Sequence, residues 1–516
     1  MKAVLLGGAA AAAAAYYIYK ALTPPATTNT ILNPYTGEVV ATVPFLSKEQ
    51  AVAKLTALSE AQKLWAAVKL AERIAAIKAG ADYMEANLKA IAADVTAAVG
   101  KPIGQSEFEV TAGVGKMRTL CDQAEAALAP AISSDGDFEY EVRRTPKGVI
   151  EIIVPWNYPI FTALNGVVPA LLAGNAVALK HQSTPAVGDW FEKAFGSVGK
   201  APIAHVHVDI PTSDWIGANV EVVGHRVFTG SVRGGRAIAS TLGTRALNPA
   251  LKTAFIGCSL ELGGCDAAYV HKDLTGDDLK HAVEFMMTIG RLHNSGQSCC
   301  ATKRCVVHPD AFASFEKLAS ANFAVQVCGD PALEKTTIGP NYGGKKLCES
   351  IFAIVLDAKA KGAKVVVAGE DCTGLDSAAL KGKLIFEEKA GCFIVPTLLV
   401  NTTDGMRCMK EEVFGPVLAV AKAPTDVAAA IRVMNDTSYG LTNSVWTKDA
   451  DVADAFVDGM NSGTCFVNWC NDVHAQVVWS GVGLSGNGNG AMGAEGFRVL
   501  TNPKSVVRRA EPMKFP

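Results

Sequence analysis

The stretch Val149–Lys180, VIEIIVPWNYPIFTALNGVVPALLAGNAVALK, decides the fold class. It opens with a short β-rich run, Val149 to Val154, and closes with a second, Ala176 to Lys180. Between them Ala163 to Ala173 has helical apolar spacing, and Gly174-Asn175 supplies the turn. Two buried-type strands joined by a helix predict a parallel α/β unit. Further strands are predicted downstream at His205 to Ile210 and Val222 to Phe228. A second α/β section follows from about residue 265: Leu279 to Arg291 helical, Arg304 to His308 strand, Pro309 to Phe323 helical and Lys364 to Ala368 strand. Upstream, Ser47 caps a helix over Lys48 to Trp65, a long helical region spans Leu70 to Val99, and Val114 to Leu128 is helical again. Phe138 to Arg144 alternates apolar with charged residues, as an exposed strand does.

Length and composition suit about three domains, or one large two-lobed chain, with room for a large core. The chain has 516 residues, 49% hydrophobic and 19% charged, which excludes a disordered or fibrous protein. Lys and Arg number 48 against 50 Asp and Glu, a net charge of −2 that points to no nucleic-acid partner. Thirteen cysteines in this length are too dilute for a disulfide scaffold, and no CxxC pair suggests a zinc ribbon. No metal site is expected. The N-terminus is unusual: Ala3 to Tyr19 is uncharged, includes Ala9 to Ala15, and Lys20 closes it. As a helix it would span ~26 Å, the short limit for a bilayer. A membrane anchor, a cleaved targeting segment and a soluble Ala-rich helix all fit it. The anchor is the expectation adopted, with a cytoplasmic catalytic body where a working thiol stays reduced. Thr23 to Thr30, with Pro24-Pro25, reads as a linker.

Several segments suit chemistry, and each alone has a bland rival. In Asn294-Ser295-Gly296-Gln297-Ser298-Cys299-Cys300-Ala301, small polar residues bracket a cysteine in a turn that can aim backbone N–H groups at a thiolate. A buried structural thiol is the rival. Glu261, beside Gly263-Gly264, can act as a base through water or be an ordinary turn residue. Asn157, between Pro155 and Pro159, offers a fixed amide donor or a simple Asn turn. Gly230-Ser231-Val232-Arg233-Gly234-Gly235 opens a helix, Arg236 to Leu242, whose N-terminus suits phosphate, although it is not GxGxxG. Gly339 to Lys346 nearly matches a P-loop but has Lys346 in place of Ser or Thr; a surface loop is expected. His205-Val206-His207 is read as structural. His293, six positions before Cys299, is a candidate partner for that thiol.

In series, these motifs resemble the aldehyde dehydrogenase superfamily over roughly residues 31 to 508. The resemblance runs through Asn33-Pro34-Tyr35-Thr36-Gly37-Glu38, Gly100-Lys101-Pro102, Pro155-Trp156-Asn157-Tyr158-Pro159, Gly174-Asn175 with Lys180, and Phe228-Thr229-Gly230-Ser231. It continues through Glu261-Leu262-Gly263-Gly264, Gly296-Gln297-Ser298-Cys299, Glu411 to Pro416, Asn435 to Thr442 and Ser485-Gly486. The resemblance implies an α/β fold: a Rossmann-like cofactor domain (31–128 and 148–262), an α/β catalytic domain (263–481) and a β-arm used in oligomerisation (129–147 and 482–516). Residues 1–22 would be the anchor or targeting segment and 23–30 the linker. The arm would pair the strand near Phe138 to Arg144 with one near Lys504 to Arg508 and support a homodimer or homotetramer.

It also implies oxidation of an aldehyde to its acid with NAD or NADP. Cys299 would attack the carbonyl carbon and pass through a thiohemiacetal and a thioester. The Asn157 side chain and the Cys299 N–H would hold the oxyanion, and Glu261 would activate water; Cys300 would be a bystander. Lys180 would meet the adenosine ribose. Gly230 and Ser231 would lie near the pyrophosphate. Glu412 would hold the nicotinamide ribose with Phe414 against it, and Trp156 and Leu262 would line the nicotinamide path. The chain departs from the family pattern in places. Ser183 stands where NAD-preferring members often carry Glu, so it would not repel a 2′-phosphate. Cys265 replaces a common Lys, the stretch from Gly235 to Glu261 is longer, and Trp479 to Gly483 lacks the usual Phe and Lys. The run after Lys180 and the Gln-Ser-Cys-Cys run point to semialdehyde-type members. Two rivals differ in kind: a CoA-acylating semialdehyde dehydrogenase and a catalytically silent membrane-tethered scaffold.

Overall fold

The structure, a computed structural model, describes residues 27–510. The stretch Ala3 to Tyr19 read as an anchor lies outside the described residues, as does the C-terminal end beyond 510. Among the described residues no helix is long and apolar enough to cross a membrane.

Five parallel strands form one sheet, in the spatial order Ile203–His205, Ala176–His181, Val149–Val154, Val223–Thr229, Gly257–Glu261. Numbered along the chain, that order is 3-2-1-4-5, the doubly wound arrangement. The two faces of the Val149 strand go to different cores because successive side chains alternate. Ile150 and Ile152 pack with Ile160, Leu164 and Val110 of the helices Pro159–Leu172 and Ile103–Leu128. Val149 packs with Leu55 of Lys48–Ala67 and Ile216 of Ile210–Asn219. With both faces covered the strand is an almost unbroken apolar run.

A second sheet has eight strands, centred on Thr397–Val400, Val417–Lys422, Arg304–Val307, Ala267–Val270, Thr442–Trp446 and Thr464–Val467, all parallel. Lys364–Val367 joins antiparallel beside Thr397–Val400, with the short strand Glu370–Asp371 outside it at the edge. A third sheet is antiparallel: Phe138–Pro146 lies between Ala131–Ser134 and Thr501–Arg509, with Lys504 opposite Arg143. Residues just before Thr501 belong elsewhere, since Met492, Phe497 and Leu500 join the core beside Ile160.

Several element boundaries differ from the sequence reading, each for a local reason. The region Leu70 to Val99 is two helices, Leu70–Ala86 and Leu88–Val99, because Asn87 turns its side chain onto the Tyr83 carbonyl and breaks the ladder. The helix ending at Leu128 begins at Ile103, not Val114. The strand read over His205 to Ile210 stops at His205; Asp209 accepts from Thr212 N–H at 2.8 Å and caps a helix starting at Ile210. The helix read from Arg236 starts at Val232, capped by Ser231. Leu279 to Arg291 is an α-helix, Gly276–Phe285, followed by a π-helical turn, Met286–Leu292. The linker reading fails at Thr28, where Thr28–Leu32 pairs with Val39–Pro44.

Candidate active site

In an open parallel sheet, ligands bind beyond the carboxyl ends of the strands where the order reverses. Here that point lies between Val149–Val154 and Val223–Thr229. The first strand leads into Trp156 and Asn157, the second into Gly230 and Ser231, and Gly257–Glu261 ends in Glu261 and Leu262. The second sheet contributes Cys299 from the loop before Arg304–Val307, and Glu412 and Phe414 from the loop before Val417–Lys422. All nine of these residues line one cavity of about 1190 Å³. Lys180 and Ser183 are not among its lining residues.

The cysteine loop is built from left-handed backbone. Asn294, Ser295 and Gly296 have φ of 53°, 56° and 71°, a costly conformation for the first two. A side chain at Gly296 would sit 2.6 Å from the Gly415 carbonyl carbon, so this turn also needs glycine for space. Side chains hold the loop in place. Lys303 Nζ donates to the Ser298 carbonyl at 2.8 Å and to that of Cys299. Ser295 Oγ donates to the Gly339 carbonyl at 3.0 Å. Asn294 Nδ2 donates to the Asn157 carbonyl at 2.9 Å, and Asn157 Nδ2 donates to the Gln297 carbonyl at 3.0 Å. A primary amide has two N–H donors. One on Asn157 is therefore spent on fixing the side chain, and the other remains for a ligand.

Cys299 is half-buried and Cys300 buried. Hydrogen bonding to the Cys300 sulfur, together with burial, pushes the Cys299 thiol well above its ordinary range, and Lys303 opposes this. Cys300 lines the same cavity, and its sulfur lies 3.1 Å from Asn471 Oδ1. Glu261 is fully buried: Asn165 Nδ2 lies 3.4 Å from Oε2, and Oε1 has no partner among the described residues. Burial lifts its pKa to about 8, against the pull of Asn165 and the Trp479 indole. A buried carboxyl oxygen without a partner, open to a cavity, is where a water molecule would be held.

The cofactor-facing half fits a dinucleotide. Helix Val232–Ala246 presents its N-terminus to the cavity edge, and Ser231 Oγ accepts from Gly234 N–H at 3.2 Å. The remaining first-turn N–H groups suit an anion. The Phe228 ring lies where Cβ atoms would stand on Gly230 and Gly234. Glu412 Oε1 accepts from Gly264 N–H at 2.9 Å, with Lys303 Nζ at 4.0 Å, which leaves Oε2 for hydroxyl groups. Trp156 stacks on Tyr342 at 4.3 Å and meets Phe414 edge-on at 5.8 Å. Lys180 is buried on the neighbouring strand, its pKa lowered by burial to about 8, with Nζ 3.2 Å from Gln182 Oε1. Ser183 is half-buried in the turn before Pro185–Phe191.

Two sequence readings need correction. The surface loop expected at Gly339 to Lys346 is buried through Asn341. Tyr342 N–H donates to Gln297 Oε1 at 2.9 Å, which ties this loop to the cysteine turn. His293 does not pair with Cys299. Its Nδ1 is 2.7 Å from Tyr158 Oη, and burial depresses its pKa to about 3, so it is neutral. Of the pair read as structural, His205 bonds Asp189 at 2.8 Å and His207 stacks on Phe45 at 4.8 Å. Among the described residues no cluster of His, Cys, Asp and Glu is placed to hold a metal. Sequence reasoning missed Asn165, Lys303, Tyr342 and Trp479. Trp479 left one signal: it falls in the segment that departs from the family pattern.

A model of the aldehyde dehydrogenase family matches residues 23–506. The chain is 31% identical over 489 residues to the succinate-semialdehyde dehydrogenase [NADP(+)] of Deinococcus radiodurans, covering 94% of this chain and 95% of that protein. It is 30% identical to an aldehyde dehydrogenase of Paenarthrobacter nicotinovorans, covering 92% and 98% respectively. The structure of lactaldehyde dehydrogenase from Escherichia coli superposes with a TM-score of 0.83 at 26% identity, covering 95% of this chain and 97% of that one.

Proposed function

Because the chain belongs to the aldehyde dehydrogenase family and is an NAD(P)-dependent enzyme that oxidises aldehydes, we propose how its own residues divide the reaction. Cys299 is the nucleophile, Asn157 the oxyanion donor and Glu261 the base. The observation that carries this reading is that all three open onto the same cavity as Gly230, Ser231 and Glu412.

The Cys299 thiol first loses its proton to solvent; the thiolate Sγ then attacks the aldehyde carbon, and the carbonyl π-electron pair moves onto the oxygen, which becomes an alkoxide. The free N–H of Asn157 donates to that oxygen; one such donor typically accounts for 10²–10³ in rate. Bound NAD(P)+ supplies a hydride acceptor at its nicotinamide ring. Loss of hydride from the carbon leaves an acyl thioester on Cys299. Glu261 Oε1 then takes a proton from water, the resulting hydroxide adds to the thioester, and the Cys299 thiolate leaves with release of the acid. Ser231 and the helix behind it would hold the pyrophosphate, and Glu412 Oε2 would receive the nicotinamide ribose hydroxyls. Trp156, Leu262 and Phe414 would wall the nicotinamide ring. Lys180 and Ser183 serve the adenosine end, outside the cavity.

The substrate is proposed to be a semialdehyde, on the names of the relatives. Homo-oligomerisation is proposed through the third sheet. Its edge strand Ala131–Ser134 is exposed throughout, and Ile132 and Val507 present apolar side chains to solvent. Membrane attachment is proposed for residues 3–19, with the catalytic body on the cytoplasmic side; carbonate extraction of the full chain and of a version lacking residues 1–22 tests the attachment.

Intact-mass measurement after a single turnover tests the chemistry. Glu261→Gln should accumulate one acyl adduct at residue 299, and Cys299→Ala should form none. Product formation that required CoA would replace the hydrolytic step with thiolysis, and an adduct at Cys300 would overturn the assignment of the nucleophile.

A further inference from the structure

Helix Ile103–Leu128 turns one stripe toward the cavity: Gly104, Phe108, Ala112 and Lys116, at four-residue spacing. The facing helix and the turn before it contribute Tyr158 and Phe161, whose rings lie parallel with centroids 6.1 Å apart. Phe285 and Trp469, with ring centres 4.4 Å apart, line the same cavity. These aromatic side chains give the cavity an apolar lining beside which Lys116 places a cation.

That cation is poorly paired. Lys116 Nζ sits 4.0 Å from the centre of the Phe161 ring and 3.6 Å from Asp472 Oδ1. An ammonium–carboxylate hydrogen bond is about 2.7–2.9 Å. Asp472 is engaged elsewhere: Oδ1 accepts from Val473 N–H at 2.7 Å, and Oδ2 lies 3.3 Å from Trp469 Nε1 and 3.1 Å from His474 Nε2. The ammonium has three donors and is largely buried, and burial lowers its pKa. The remaining lysine lining the cavity, Lys346, is exposed beside Tyr342 on the cofactor side, and His293 is neutral.

We infer that Lys116 is the specificity-determining residue of this cavity and receives the distal carboxylate of an oxo-acid, an aldehyde whose other end is anionic. This rests on the reading of Cys299 as the nucleophile. The aromatic walls hold the aliphatic stem, and the carboxylate completes the shell that Asp472 leaves open. Removing that contact leaves a buried cation or an apolar stub facing a carboxylate, so the loss falls on binding.

The test compares 4-oxobutanoate with butanal, a neutral aldehyde of equal chain length, in wild type, Lys116→Met and Lys116→Arg. Lys116→Met should lower the ratio of the two kcat/KM values at least tenfold, mainly by raising KM for the oxo-acid, and Lys116→Arg should restore most of it. A ratio unaltered by Lys116→Met, or a wild type that favours butanal, overturns the inference. Quenching of tryptophan fluorescence by butanedioate supplies a readout without turnover. Cys299→Ala should bind butanedioate like wild type while turning over nothing, and Lys116→Met should bind it at least tenfold more weakly. Turnover by Cys299→Ala would break the nucleophile reading alone, and equal butanedioate affinity in wild type and Lys116→Met would break the Lys116 reading alone.

Discussion

Replacing Glu261 by Gln should slow the enzyme and at the same time stabilise it above neutral pH. The carboxyl group is fully buried and its pKa is lifted from the ordinary 4.5 to about 8, chiefly by desolvation. A raised carboxyl pKa means that the native state holds its proton more tightly than the unfolded chain does. The stabilising contribution is complete below pH 4.5 and falls away as pH rises, until it is gone above about 8. The distance between those two values corresponds to on the order of 5 kcal/mol. Unfolding a chain of this size carries an entropy near 1 kcal/mol/K, so the penalty amounts to about 5 °C in Tm. Gln cannot ionise and escapes it. Ligand-free wild type and Glu261→Gln, melted side by side from pH 5 to 9.5, should therefore match at the acidic end. The variant should lead by roughly 5 °C at the alkaline end. Across the same range wild-type deacylation should rise with pH and level off above about 8. Parallel Tm curves would show that Glu261 does not sit as a buried, protonated acid, and its assignment as a tuned base would fall with them.

Three further outcomes are expected if the proposed roles hold. Asn157→Ala removes both the proposed oxyanion donor and a brace on the Gln297 carbonyl; kcat should fall by about 10²–10³ with a smaller change in KM, measured by NAD(P)H absorbance. Ser183→Glu should raise KM for NADP more than for NAD, since a carboxylate there repels a 2′-phosphate; equal effects would remove Ser183 from the ribose end. Deleting residues 501–516 strips the strand that pairs with Phe138–Pro146. The mass by light scattering should then drop to that of a smaller assembly; an unchanged mass would show that the third sheet does not carry the interface.

The parts of this molecule that were legible in the sequence are those where one physical requirement dominates. Val149–Val154 reads as a buried strand because both of its faces are covered, so apolar residues run through it almost without alternation. Its neighbour Ala176–His181 reads the same way, ending in Lys180 and His181. Boundaries were less legible where a side chain rather than periodicity decides them. Asn87 breaks a helix, and Asp209 starts one inside what reads as a strand. The start of helix Ile103–Leu128 was hidden for a different reason: its first turns carry Gln105, Ser106, Glu107 and Glu109, so polarity masks the apolar stripe. Glu109 is buried there against Lys101 and accepts from the N–H groups of Ile160 and Phe161.

The site divides along the same line. Cys299, Glu261 and Asn157 stand in short runs whose glycines and prolines announce a constrained turn, and their order along the chain ties them together. Nothing comparable marks Lys116, Tyr342 or Asn165. Phe108, Ala112 and Lys116 repeat at helical spacing, and from sequence such a stripe looks the same whether it faces a neighbouring helix or a cavity. Tyr342 lies in a segment whose nearest pattern match is a phosphate loop that it does not form. What exposes these residues is the meeting of two sheets, which depends on contacts such as Tyr342 N–H to Gln297 Oε1 and Gln105 Oε1 to Asn294 N–H. The proposed chemistry at Cys299 is thus written in local motifs, whereas the proposed selection of the aldehyde rests on the packing of helix Ile103–Leu128 against the cysteine loop. A substitution at Lys116 should consequently alter which aldehyde is oxidised, and one at Glu261 how fast any of them is released.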